Sequence, residues 1–96
     1  MSMRLTEFEK IAIKSVVSGY DPQARVYLFG SRADDTKRGG DIDLLIMSNV
    51  LSVGDRGKIR WELCGRLGEQ KIDILIAHDT ADPFVERAYK TGVILS

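Results

Sequence analysis

Apolar residues near the start of the chain recur at helical rather than strand spacing. Phe8, Ile11, Ala12 and Val16 share one side of a helical period, Thr6 with Glu9 gives a capping-box start, and Gly19 supplies a stop. A first helix is therefore predicted there, followed by a turn at Tyr20-Asp21-Pro22. Arg25 to Phe29 is a short β-branched and aromatic run bounded by that turn and by Gly30, and it reads as a strand. A polar loop from Arg32 to Gly40 leads to a second strand, Ile42 to Met47, whose unbroken apolar end points to burial on both faces. Ser52 with Asp55 resembles a cap, and Ile59, Leu63, Cys64 and Leu67 line one face of a second helix that Gly68 ends. Gly54, Gly57 and Gly65 each weaken that helix by up to ~1 kcal/mol relative to alanine. Ile72 to Ala77 reads as a third strand. Asp82-Pro83 supplies a cap and first-turn pair for a last helix, with Phe84, Val85, Ala88 and Tyr89 on its apolar side and Gly92 at its end.

The order α-β-β-α-β-α predicts an α/β or α+β fold, a small mixed β-sheet flanked by helices. No repeat, low-complexity segment or linker divides it, so residues 1–96 read as a single domain. A chain of 96 residues supports a modest core, which moves any larger substrate surface onto another chain or a second copy and leaves homo-oligomerisation open.

Composition removes several function classes. The 14 basic and 14 acidic residues cancel, and the densest basic stretch, Lys37-Arg38, is two residues long, so there is no electrostatic signature of nucleic-acid binding. No run approaches the ~20 apolar residues that cross a bilayer, and no apolar signal core precedes the first helix; the expectation is a cytoplasmic protein without a membrane role. Cys64 is the sole cysteine and reads as a small apolar side chain rather than a ligand.

The chemistry is concentrated in Leu28-Phe29-Gly30-Ser31-Arg32, then Gly40-Asp41-Ile42-Asp43, then Lys71-Ile72-Asp73-Ile74. Asp41 and Asp43 are two apart at a strand start, so both carboxylates share a face, opposite Ile42, Leu44 and Ile46. Asp73 alternates in the same way in its own strand; if the two strands are neighbours, three carboxylates converge. Ionised carboxylates gathered together repel, and at least one pKa must rise unless a cation intervenes. Oxygen-only ligands select Mg²⁺ or Mn²⁺, and a two-metal site ~3.5–4 Å apart stabilises both the attacking and the leaving oxygen of a phosphoryl displacement. Gly30 follows a strand directly and allows a tight turn and close backbone approach to phosphate oxygens, while Ser31 adds a hydroxyl and Arg32 a cation. An Asp73 buried without a partner in an apolar strand would cost several kcal/mol, which weighs against a purely structural role. Asp34 and Asp35 read as turn formers, His78 as a surface residue, and Trp61 and Tyr89 as packing anchors rather than nucleobase platforms.

Leu28 to Met47 resembles the signature of the minimal nucleotidyltransferases, the small branch of the DNA polymerase β-like superfamily. The nine residues from Arg32 to Gly40 form a spacer one residue shorter than in many antitoxin members of that branch. The resemblance implies a polymerase-β-like fold, Gly30 and Ser31 as triphosphate contacts, Asp41 and Asp43 as metal ligands, and Asp73 as the third carboxylate, which assists deprotonation of the attacking hydroxyl. It further implies transfer of AMP from ATP to a hydroxyl on a helical partner protein, of HEPN-like or substrate-binding kind, as in toxin–antitoxin pairs. A non-catalytic nucleotide-binding or scaffolding subunit for such a partner is the alternative, and retention of all three carboxylates weighs against it.

Overall fold

The computed structural model describes residues 5–30, 41–68 and 70–95. Their elements are α1 (Glu7–Tyr20), β1 (Arg25–Phe29), β2 (Ile42–Met47), α2 (Val53–Leu67), β3 (Ile72–Ala77), α3 (Pro83–Thr91) and β4 (Val93–Ile94). The strands form one mixed sheet in the order β3-β2-β1-β4, with β1 antiparallel to both β2 and β4, and β3 parallel to β2.

Each helix starts where its side chains satisfy the free N–H groups of a first turn. Thr6 Oγ1 accepts from the Glu9 N–H and Glu9 Oε1 accepts from the Thr6 N–H, both at 3.0 Å. Asp55 Oδ2 accepts from the Ser52 N–H at 2.9 Å at the start of α2, and Asp82 Oδ1 from the Phe84 N–H at 2.8 Å at the start of α3. Strand alternation then divides the core. Val26, Leu28, Ile42, Leu44, Ile46, Ile72 and Ile74 pack with Ile13, Val16 and Val17 of α1 and Ile59 and Leu63 of α2. On the other face Tyr27 and Leu45 pack with Val85 and Ala88 of α3. Leu44, Leu45 and Ile46 are all fully buried, as the unbroken apolar end of β2 requires.

The apolar faces of α2 and α3 are those expected, whereas that of α1 differs in phase. In α1 the buried stripe is Ala12, Ile13, Val16 and Val17, while Phe8 and Ile11 are 65% and 61% exposed. At about 100° per residue, a stripe centred on those four turns Ile11 to the opposite side. Trp61 is no packing anchor either: it is 79% exposed, because Ile59 and Leu63 take the inward face of α2. Tyr89 does pack, edge-on against Tyr27 with ring centroids 5.1 Å apart. β4 lies beyond sequence expectation, since its two residues are too short for an alternation to register. Gly92 admits it: an added Cβ would lie 2.7 Å from the Ala88 carbonyl oxygen and 3.1 Å from that of Leu28.

A buried polar pair ties the far end of β2 to the α1–β1 turn. Ser48 Oγ donates to Asp21 Oδ2 at 2.6 Å, and accepts from the Val50 and Leu51 N–H groups at 3.0 Å. Both Asp21 and Ser48 are 7% exposed.

Candidate active site

Antiparallel pairing brings the end of β1 to the start of β2, and parallel pairing brings the start of β3 to the same place. The register sets Phe29 opposite Asp43 and Asp43 opposite Asp73. Both carboxylates emerge on the α3 face of the sheet, two residues short of Leu45, where α3 packs. Phe84, in the first turn of α3, stands edge-on to Phe29 at 6.1 Å between centroids and borders this end of the sheet. The strands are neighbours, as convergence of the carboxylates requires.

Asp43 carries the strongest electrostatic signature of the site. Partial burial raises its pKa above the ordinary carboxylate value, and the negative charges of Asp73 and Asp41 raise it further. The Lys71 ammonium acts in the opposite direction, and a hydrogen bond with Asp73 adds to the rise. Asp43 is half-buried whereas Asp73 is exposed. The desolvation cost expected at Asp73 therefore falls on Asp43 instead, because β2 is interior to the sheet and β3 is its edge.

Gly30 closes the site from the β1 side. Its φ is +75°, a left-handed conformation that residues with a Cβ adopt at a cost, and a Cβ built there would overlap Asp43 Oδ2 and sit 3.1 Å from its Cγ. Glycine at this position makes room for a carboxylate as well as shaping the turn. Ser31 and Arg32, together with Asp34, Asp35, Lys37 and Arg38, lie outside the described residues.

Lys71 had no role in the sequence reading, although its place two before Asp73 puts it on the same side of the chain. Its Nζ lies 3.7 Å from Asp41 Oδ2, with both side chains largely in solvent. Among the described residues no three His, Cys, Asp or Glu side chains are gathered tightly enough to form a ready-made metal cage. The donor chemistry nevertheless fits a hard divalent ion: the groups are all carboxylates, and Asp43 is already raised by the two that flank it. His78 is exposed and pairs with Asp79 at 3.2 Å, just past the other end of β3 and away from the carboxylates.

The family described as Polymerase beta, Nucleotidyltransferase matches residues 11–96. The chain belongs to that family. Three helices on a four-stranded mixed sheet, with acidic residues at the strand ends, are the polymerase-β-like fold of a nucleotidyltransferase domain. A search of the curated proteins returns no match to this nucleotidyltransferase. The family generally uses a divalent metal and a nucleoside triphosphate. No helix among the described residues is long and apolar enough to cross a membrane.

Proposed function

We propose that this nucleotidyltransferase moves AMP from ATP onto a hydroxyl of a partner protein, in the manner of an antitoxin that modifies a helical toxin. The observation that supports it is the half-buried Asp43, raised in pKa by Asp73 and Asp41 and set against a Gly30 with no Cβ. That combination costs stability in the free protein and gains meaning only if positive charge arrives.

In this reading Asp41 and Asp43 would hold Mg²⁺ or Mn²⁺, with Asp73 as the third carboxylate. A divalent ion at that place supplies charge neutralisation and polarisation of phosphoryl oxygens. The resemblance gives Gly30 and Ser31 as the triphosphate contacts, with Arg32 as a candidate cation beside them. Asp73, exposed at the sheet edge, accepts the proton of the acceptor hydroxyl. The hydroxyl oxygen bonds to the α-phosphorus, the bond from that phosphorus to the bridging oxygen breaks, and pyrophosphate leaves.

The competing reading is a regulatory nucleotide-binding subunit without chemistry, which the engagement of Asp41 by Lys71 favours. One experiment separates them. ATP labelled at the α-phosphate is incubated with Mg²⁺, this chain and the protein encoded beside it. Label on the partner, lost in Asp41→Asn, is expected. No label on either chain, with Asp41→Asn still inhibiting the partner as well as wild type, favours the regulatory subunit.

A further inference from the structure

β3 is an edge strand with nothing paired to its outer side among the described residues. The Ile42 N–H donates to the Lys71 carbonyl and the Ser48 N–H to the Ala77 carbonyl, so odd-numbered residues of this segment face β2. Ile72, Ile74 and Ile76 therefore direct their N–H and C=O groups outward. Edge strands are ordinarily blunted by lysine, proline or a bulge, yet the strand reads IDILIA and carries one charge, Asp73. Beside this edge, α2 presents Gly57, Arg60, Trp61 and Cys64, which with Lys71 and Ile72 line a groove of about 350 Å³. Trp61 is the most exposed large apolar side chain described, at 79%.

We propose that the β3 edge and the Trp61 groove together form a docking site for an extended, acidic segment of a partner protein, added as a fifth strand. The outward amides supply main-chain pairing, and the groove supplies specificity. Charge decides against a second copy of this chain as the occupant. α2 exposes Arg56, Lys58, Arg60 and Arg66, whereas its acids are engaged: Asp55 with the Ser52 N–H at 2.9 Å and Glu62 with the Tyr20 hydroxyl at 3.0 Å. A two-fold pairing of β3 edges would set two such helices side by side and repel. An acidic segment meets the basic face of α2 instead, with Arg60 in the groove itself.

The added strand also places a residue directly opposite Asp73. Its Cβ lies on the same face of the sheet, about 4.5–5.5 Å from that of Asp73, while its two neighbours turn toward α2. A hydroxyl side chain at that position, with acidic residues on either side, faces the proton acceptor of the reaction. Only this last step rests on the proposed transfer activity; docking itself does not.

The test uses the full chain without nucleotide or metal, so its outcome is independent of whether transfer occurs. The probe is a displayed library of peptides about eight residues long, long enough to match β3, with a central Ser, Thr or Tyr and acidic flanking positions. The comparison library carries lysine at the flanks. Trp61, the sole tryptophan, reports docking by a shift of its emission to shorter wavelength. Acidic peptides are expected to be retained over lysine peptides and to shift that emission, and Arg60→Glu is expected to weaken their binding about tenfold or more. Trp61→Ala is expected to weaken it similarly, read by direct binding. Both substitutions are at exposed positions, and an unchanged melting temperature certifies the fold. The proposal is overturned if acidic peptides are retained no better than lysine peptides, if both variants bind as wild type does, or if the chain alone sediments as a dimer that Arg60→Glu abolishes.

Discussion

Asp43 is half-buried beside two other carboxylates, and the proposed transfer depends on it. Its pKa is raised in the folded state, first by burial and then by Asp73 and Asp41. The folded chain therefore holds the Asp43 proton more tightly than the unfolded chain does, and stability falls as pH rises from the unfolded value, about 3.9, through the higher folded one. Asp43→Asn removes that penalty. With metal removed by chelator, the variant is expected to melt above wild type at pH 7, with the gap closing as pH is lowered toward about 4. A gap that persists unchanged in acid would show that packing, not charge, is responsible. Gly30→Ala acts on the same carboxylate from outside, combining a strained φ with overlap on Asp43; a loss of about 1–3 kcal/mol in denaturant titrations is expected, along with loss of any Mg²⁺-dependent stabilisation. Sequence spacing revealed the carboxylates because alternation in a strand is a local rule. It misassigned which of them is buried, because that depends on the order of strands in the sheet.

At the scale of elements, caps, strand alternation and the inward faces of α2 and α3 were legible, while the phase of α1 was only partly so. Thr6 with Glu9 and Asp82 with Pro83 start helices through contacts within one turn, so their signals are local. Which side of α1 meets the sheet is a tertiary choice, and Ile13 and Val17 win it over Phe8 and Ile11. The Ser48–Asp21 pair was invisible for the same reason: the two residues are far apart in sequence and meet only when α1, β1 and β2 assemble. Ser48→Ala strips a donor from a buried carboxylate and an acceptor from two N–H groups. It is expected to cost about 1–3 kcal/mol, seen as a lower denaturation midpoint with an unchanged slope. Since this pair lies at the opposite end of β2 from Asp43, the substitution should leave the response to Mg²⁺ and ATP intact.

For the whole molecule, the sheet has one end given to acidic residues and, among the described residues, one edge left bare, and the two proposals assign chemistry to the first and recognition to the second. The carboxylates sit at one end of β2 and β3, while the outer side of β3 and the Trp61 face of α2 remain available to another chain. The proposed role of Asp41, Asp43 and Asp73 is to receive a metal nucleotide that relieves the repulsion felt at Asp43. Melting temperatures of wild type and Asp43→Asn, each with chelator and with Mg²⁺ and ATP, test it directly. A crossing is expected: the variant melts higher in chelator, and wild type gains with Mg²⁺ and ATP while the variant does not. An equal gain in both proteins, or no gain in wild type at millimolar metal and nucleotide, would contradict it.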